Sequence, residues 1–190
     1  MTTMVERRKA TDKKIYNAAV REFGENGFSN TTLSNIAKKA GITPGLIVQN
    51  FGSKEDLYRK IAIDIVTLSK EQLNPYSSSW EERCRAAIRL IIDALEKDPD
   101  FIYSLNFYVG LITSLDTPDD VMKELMDIYQ GSPVKELVIE GQKKGELIEG
   151  DPYLVHALFW SNMQNIICYC FNHKLDYPPT EWFLDIVRKH

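Results

Sequence analysis

The chain has 190 residues, of which 44% are hydrophobic, and it carries a formal net charge of −4. That length and apolar content suffice for one large or two modest domains with a buried core. No stretch approaches the roughly 20 consecutive apolar residues of a membrane-spanning helix. The charged N-terminal segment lacks the apolar region of an export signal, and the three cysteines form no disulfide-rich pattern. We therefore expect no membrane association and a cytoplasmic protein.

The charge is divided unevenly along the chain. Residues 1–60 carry 11 Lys or Arg against 6 Asp or Glu, a net charge of +5. Residues 61–190 carry 12 against 21, a net charge of −9. Salt screens charges beyond a Debye length of about 8 Å at physiological ionic strength, so a polyanion responds to the local basic surface. The first 60 residues are therefore predicted to contact nucleic acid.

The N-terminal segment leads into a predicted helix. Residues 1–12 are polar and include a basic run at 7–9, which fits either a frayed terminus or an arm that contacts phosphate. A helix is predicted from about Thr11 to Asn26, because apolar residues recur at helical spacing. Its expected core residues are Ala10, Ile15, Ala18, Ala19 and Phe23. Gly27 should end this helix, with Phe28 packing back on it.

Residues 31–57 predict two short helices joined by a tight turn and followed by the start of a longer helix. The boundary markers are a capping hydroxyl at Thr31 or Thr32, a turn glycine at Gly41, Thr43 with Pro44 at the next start, and a near capping box of Ser53 with Asp56. Small Ala37 and Ala40 would let the short helices approach closely. This pattern is typical of a helix-turn-helix, whose second helix enters the DNA major groove, although an ordinary helical hairpin would share the turn.

The segment 15–57 as a whole resembles the DNA-binding domain of the TetR family of bacterial transcriptional regulators. The resemblance runs through I-x-x-A-A-x-x-x-F, E-N-G-F, T-T-L-S-N-I-A-K-K-A-G-I and F-G-S-K-E-D-L, in order and without gaps. It implies an all-α protein of about nine helices. The implied domains are a helix-turn-helix domain at 1–53 and a ligand-binding and dimerisation domain at 54–190, connected by a fourth helix at about 54–73.

Beyond the helix-turn-helix the apolar spacing stays helical. The predicted buried stripe of the fourth helix is Leu57, Tyr58, Ile61, Ile65 and Leu68. Later helices are predicted around 80–95, 101–115, 121–128, 133–144, 151–172 and 180–189. The helix at 151–172 is apolar on more than one face. The TetR resemblance implies that it and the last helix form a homodimer interface across a two-fold axis, the commonest symmetry of soluble oligomers.

The predicted recognition helix, 44–50, presents the candidate DNA contacts. The candidates for the groove are Pro44, Gly45, Leu46, Gln49 and Asn50, and those for phosphate are Thr32, Thr43 and Lys54. Only Gln49 and Asn50 can make paired hydrogen bonds to a base, with adenine the favoured target. Leu46 offers apolar contact, for example to a thymine methyl group.

One position departs from the TetR pattern. The family usually has a tyrosine where this chain has Val48, and its hydroxyl commonly contacts phosphate. Val48 cannot donate a hydrogen bond. Two hypotheses therefore stand. The first is a dimeric regulator, expected to be a repressor, that binds a near-palindromic operator in double-stranded DNA. The second is a ligand-sensing or protein-interaction module of the same fold that has lost specific DNA binding.

The resemblance also implies an unidentified small-molecule ligand that releases the operator. Candidate ligand contacts mix aromatic rings with isolated polar groups: Tyr103, Asn106, Phe107, Trp160, Met163 and Gln164. Each of them equally fits core packing. Cys170 and His173 share a helix face but Cys168 does not, so no metal site is predicted. No nucleophile, base and orienting group stand at recognisable spacing, so we predict neither an enzyme nor a cofactor.

Overall fold

A computed structural model describes residues 3–73, 79–113, 116–130 and 134–189. Within these ranges the fold is all-α, as predicted, with ten named helices against the approximately nine expected and no named strand. The helices are α1 (Met4–Asn30), α2 (Leu33–Ala40), α3 (Pro44–Phe51), α4 (Lys54–Leu73), α5 (Trp80–Lys97), α6 (Phe101–Thr113), α7 (Asp119–Gln130), α8 (Val134–Lys143), α9 (Pro152–His173) and α10 (Thr180–Asp185). None of the described helices is long and apolar enough to cross a bilayer.

The chain forms two compact units, each built from two separate stretches of sequence. The first unit comprises Met1–Thr67 and Tyr103–Asp127. The second comprises Leu68–Ile102 and Ile128–His190. The functional division at residues 53 and 54 stays a prediction.

The first helix starts earlier than predicted. It begins at Met4 instead of Thr11, because Thr3 and Glu6 form a capping box in which each side chain bonds the other's backbone N–H. The polar segment is therefore helical from Met4, and Ala10 is exposed on it instead of buried. Gly27 interrupts the helix, with a positive φ of 75° that favours glycine, but it does not end it as predicted, because α1 continues to Asn30.

An aromatic cluster forms the centre of the first unit. Phe28 packs back on Phe23, as predicted, with ring centroids 6.3 Å apart. Tyr58 of α4 lies 5.0 Å from Phe23, 4.8 Å from Phe28 and 5.1 Å from Phe107 of α6. Edge-to-face and tilted pairs at these distances are favourable beyond the area that they bury. The cluster therefore fixes α1, α4 and α6 to one another.

Three predicted features are corrected by the structure. Leu68 is 52% exposed, and Ile65 is only partly buried, because the buried stripe of α4 continues through Ala62 and Val66 instead. The last helix ends at Asp185, not near Lys189. The backbone beyond it pairs with a preceding loop, through Ile148 N–H to Val187 O at 2.9 Å and Lys189 N–H to Glu146 O at 3.1 Å.

The other predicted elements are close to those observed. The apolar residues at helical spacing in α5 are all buried, namely Trp80, Cys84, Ala87, Ile88, Ile91 and Leu95. Helix α9 is capped by Asp151 and has Pro152 in its first position. The structure describes the helix predicted at 101–115 as far as Thr113. Near its end, the side chain of Ile112 is 40% exposed. The sequence also predicts that Asn74 to Ser79 breaks the fourth helix and that Gly131 ends the helix at 121–128. Residues 74–78, Gly131 and the predicted helix start at Pro133 lie outside the described residues.

A four-residue ion network joins α5 to the C-terminal end of the second unit. The carboxylate of Glu181 lies 2.6 Å from Arg85 and 2.8 Å from Arg188. Glu81 lies 2.7 Å from Arg85 and 2.8 Å from Arg188. Hydrogen bonds from Arg85 and Arg188 lower the pKa of Glu181 to about 2. A lowered folded-state pKa means that Glu181 stabilises the fold when it is ionised.

Glu181→Gln should lower the thermal midpoint at pH 7. The difference from the unchanged protein should shrink as the pH falls from about 4.5 towards 2, since the stabilisation by Glu181 is complete above its unfolded-state pKa and is lost as the pH falls towards its folded-state pKa. Circular dichroism melts at pH 7, 5 and 3 measure this. Glu140→Gln is the control, because Glu140 forms an exposed pair with Lys144 four residues along a helix, and such pairs contribute little. A Glu181→Gln difference that does not change with pH would contradict the assignment.

Candidate nucleic-acid interface

The turn between α2 and α3 has the geometry that its sequence predicts. Thr32, not Thr31, caps α2, its hydroxyl accepting the N–H of Asn35 at 3.1 Å. Gly41 ends α2 in the left-handed conformation, with φ 67° and ψ 39°. The N–H of Ile42 then bonds Ala37 O at 3.0 Å. These bonds satisfy both ends of α2 and turn the chain sharply into α3.

Thr31 has a structural role that the sequence did not indicate. Its side chain is buried, and its hydroxyl donates to Glu22 O at 3.2 Å or Gly27 O at 2.8 Å. The hydroxyl thus bonds a backbone carbonyl of α1 on the N-terminal side of Thr31. Two adjacent threonines are alike in sequence, and only the fold of α1 over Thr31 distinguishes them.

The recognition helix α3 buries one face and leaves the other open. Ile47 is fully buried, together with Ile36 and Ala37 of α2. The exposed residues are Pro44, Gly45, Val48 and Gln49, while Leu46 and Asn50 are partly exposed. A side chain added at Gly45 would meet no atom within 4 Å. The surface of α3 that a duplex would meet is therefore accessible in the unbound protein.

Three predicted contact residues already have partners within the protein, one of them Thr32, whose hydroxyl caps α2. The Asn50 side-chain N–H donates to Asp12 Oδ1 at 2.8 Å. The Lys54 ammonium donates to Phe28 O at 3.0 Å and lies 4.0 Å from the centroid of the Phe28 ring. A cation over an aromatic face is attracted to it. The remaining phosphate candidate, Thr43, occupies the cap position of α3 without a side-chain cap bond.

The end of α3 is fixed by local chemistry. Gly52 has a φ of 85°, which glycine tolerates and other residues rarely adopt. Ser53 and Asp56 then form the predicted reciprocal cap, with Ser53 N–H to Asp56 Oδ2 at 2.9 Å and Asp56 N–H to Ser53 Oγ at 3.1 Å. Hydrogen bonds from Ser53 lower the pKa of Asp56. Gly52 therefore ends α3, its N–H bonding Val48 O at 2.9 Å, and the Ser53–Asp56 cap starts α4 directly afterwards.

The basic charge of this unit is only partly available to an anion. Lys39 lies 2.8 Å from Glu22 and 2.7 Å from Glu25, so its charge is matched within the protein. Lys13 and Lys14 lie exposed on α1, and Lys38 lies exposed on α2. Ion pairs between distant positions, such as Lys39 with Glu22, have no signature in the local sequence.

An open cleft of about 450 Å³ lies beside the recognition helix. It is lined by Asp12, Lys13, Tyr16, Asn50, Phe51, Asp56 and Lys60. Burial and the charge of Asp64 raise the pKa of Tyr16. At this cleft the N-terminal half of α1 lies beside the end of α3. The sequence did not predict that these two segments are adjacent.

The six candidate ligand contacts fall in the two compact units, three in each. In the first unit, Phe107 belongs to the aromatic cluster, and the Tyr103 ring lies 4.4 Å from the Arg21 guanidinium; Asn106 is partly buried. In the second unit, Met163 is fully buried and Gln164 is 3% exposed. These assignments stay predictions.

Polar atoms without partners are concentrated on α9. Within the described ranges, buried atoms that have no hydrogen-bond partner include Nδ1 of His156, Nε1 of Trp160 and Oε1 of Gln164. These residues are spaced four apart and so share one face of α9. The Nε1 of Trp80 in α5 is also buried and has no hydrogen-bond partner within these ranges. Burial lowers the pKa of His156 to about 4, so the imidazole is neutral at pH 7.

Other chemistry is sparse in the described part of the chain. The three cysteines are free thiols, with Cys84 and Cys170 buried. No group of three or more His, Cys, Asp or Glu side chains in residues 3–73, 79–113, 116–130 and 134–189 could hold a metal ion.

Comparisons with known proteins agree on one family. Residues 15–61 match the model of the bacterial regulatory proteins of the tetR family. The fatty acid metabolism regulator protein of Bacillus subtilis (strain 168) is 25% identical over 149 residues, which cover 72% of this chain and 71% of that protein. The HTH-type transcriptional dual regulator CecR of Shigella flexneri is 40% identical over 86 residues, which cover 42% of this chain and 38% of that protein.

The fold is also found among solved structures. The crystal structure of a TetR family transcription regulator from Marinobacter aquaeolei VT8 superposes with a TM-score of 0.72 at 15% identity. The alignment covers 98% of this chain and 100% of that one. At that identity the likeness establishes the fold alone.

Proposed function

Since the chain belongs to the TetR family and is a transcriptional regulator, we propose that it binds a near-palindromic DNA operator as a homodimer. The observation that carries this proposal is the open outer face of α3, which lies within a stretch of net positive charge. The alternative of a module without specific DNA binding is not favoured. Val48, the residue that suggested this alternative, is one exposed position among several on that face.

The proposed contacts divide into base recognition and phosphate binding. Gln49 is exposed and can pair with a base edge, and Leu46 can contact a thymine methyl group. Gly45 would let the backbone approach the groove, beside Pro44. Thr32, Thr43 and Lys54 would contact phosphate. Because Phe28 already holds the Lys54 ammonium, that cation needs little ordering when DNA binds.

The proposed dimer interface is the exposed face of α9 together with α10. Leu154 is 70% exposed and Leu158 42%, and Tyr169 lies further along α9 with 58% exposure. Trp182 of α10 is 68% exposed. Large apolar side chains at helical spacing on an exposed face are typical of an interaction surface. Under two-fold symmetry, this patch on one chain would pack against the same patch on a second copy.

We further propose that a small molecule binds the second unit and releases the operator. Trp160, Gln164 and His156 support this, because each buried polar atom without a partner costs about 1–3 kcal/mol, which a ligand hydrogen bond can offset. The ligand would favour a separation of the two recognition helices that no longer matches successive major grooves, about 34–36 Å apart. We propose binding, not catalysis, as the function, and the cytoplasm as its location.

Binding of DNA can be tested with a duplex from the promoter beside the protein's own gene. We expect tight binding that weakens steeply with salt, because phosphate contacts release counterions. Lys54→Ala should weaken binding to all sequences about equally and reduce the salt slope by about 1 for each subunit of the dimer, or about 2 in total. Fluorescence anisotropy at several salt concentrations measures both. The control is Lys144→Ala, which removes an exposed cation of the second unit. Loss at one base pair only would contradict a phosphate role for Lys54.

The ligand proposal makes a prediction that needs no ligand. Gln164→Met should raise the free energy of unfolding by about 1 kcal/mol, because it removes a buried carbonyl that has no partner. Gln142→Met is the matched control and should lower it, since the Gln142 amide donates to Ile148 O and Gly150 O at 3.0 Å each. Urea denaturation measures both. If Gln164→Met destabilises as much as Gln142→Met, Gln164 is a structural residue and not a ligand contact.

A further inference from the structure

The contact between Asp12 and Asn50 joins two parts of the first unit that are 38 residues apart in sequence. Asp12 lies in the N-terminal half of α1, and Asn50 lies in the last turn of α3. The Asn50 Nδ2 to Asp12 Oδ1 distance is 2.8 Å, and both side chains are partly buried. Both residues line the cleft beside the recognition helix. The amide of Asn50 is therefore held before any DNA arrives.

The chemistry of this pair fixes which way the amide faces. An ionised carboxylate only accepts hydrogen bonds, so Asp12 must meet the NH₂ group of Asn50 and not its oxygen. One N–H of Asn50 is engaged, which leaves the second N–H and the oxygen for another partner. Paired recognition of adenine needs one donor and one acceptor from the same amide. Asn50 retains both groups, in a single orientation.

We infer that Asp12 is a positioning residue, which orients the Asn50 amide for base recognition and thereby raises discrimination at one base pair of each half-site. The inference rests on the proposed function, in which Asn50 faces the groove. Without Asp12 the amide would be free to rotate, and ordering it would oppose binding to the correct base.

The same carboxylate has an opposite effect on total affinity. A negative charge beside a DNA-binding surface repels phosphates whatever the sequence of the duplex. Asp12 therefore lowers binding to every sequence while it sharpens the choice among them. A residue that served only to stabilise the fold would not change these two quantities in opposite directions.

The test uses the full chain and a duplex selected by the unchanged protein from a random library. Binding is measured to that duplex, to its single-base variants and to unrelated DNA. Asn50→Ala should reduce discrimination at one base pair of each half-site, by about 5-fold to 150-fold. Asp12→Ala should reduce discrimination at the same base pair by about 2-fold to 10-fold and should strengthen binding to unrelated DNA.

Three further variants separate orientation from charge. Glu55→Ala removes an exposed carboxylate from the first turn of α4 and should strengthen unrelated binding without changing discrimination. Asp12→Asn can still accept the Asn50 N–H but can also donate to the Asn50 oxygen, so it should keep part of the discrimination that Asp12→Ala loses while it strengthens unrelated binding. When Asp12→Ala is added to Asn50→Ala, discrimination at this base pair should not fall further. Thermal melts check that each variant is folded.

The outcomes distinguish this inference from the proposed function. If Asn50→Ala leaves discrimination unchanged, Asn50 does not read a base, and both the contact and the inference are overturned. A different result is that Asn50→Ala reduces discrimination while Asp12→Ala, like Glu55→Ala, only strengthens unrelated binding and leaves discrimination unchanged. In that case the contact of Asn50 with a base stands, and the positioning role of Asp12 is overturned. Loss of discrimination in Asp12→Asn equal to that in Asp12→Ala would also overturn the inference.

Discussion

The packing of Tyr58 is the constraint on which the first compact unit depends. Its ring contacts Phe23 and Phe28 on either side of the break at Gly27, and it contacts Phe107 of α6. Its hydroxyl lies 3.0 Å from that of Thr117. Each such ring pair contributes about 0.5–1.5 kcal/mol beyond buried area. Because α1 and α4 are fixed in this way, the two short helices between them can present a rigid outer face.

Rigidity at the recognition helix has a functional consequence. Gly41 and Gly52 set its two ends in conformations that glycine tolerates, and Lys54 is anchored on Phe28. A surface that is ordered before binding loses less conformational entropy when a duplex arrives. In the second unit, the buried carbonyl of Gln164 has no hydrogen-bond partner within the described residues. A ligand that donated a hydrogen bond to this carbonyl would offset the cost of its burial.

The sequence predicted what local chemistry determines. Gly41, Pro44, and Ser53 with Asp56 mark helix ends through groups within a few residues, and each was found where expected. Contacts between distant positions could not be predicted in this way. Examples are the buried hydroxyl of Thr31, the pairing of Lys39 with Glu22 and Glu25, the bond from Asn50 to Asp12, and the backbone pairing that ends α10 early. Each depends on which surfaces the fold brings together.

The central claim is that two copies of this chain, paired through α9 and α10, hold two recognition helices against one duplex. The most direct measurement is sedimentation velocity of the protein, alone and bound to a duplex containing one complete selected site, at low micromolar concentration. The account predicts a dimer in free solution and two chains, or a multiple of two, on each duplex. A monomer that binds the complete site as a single chain would contradict it.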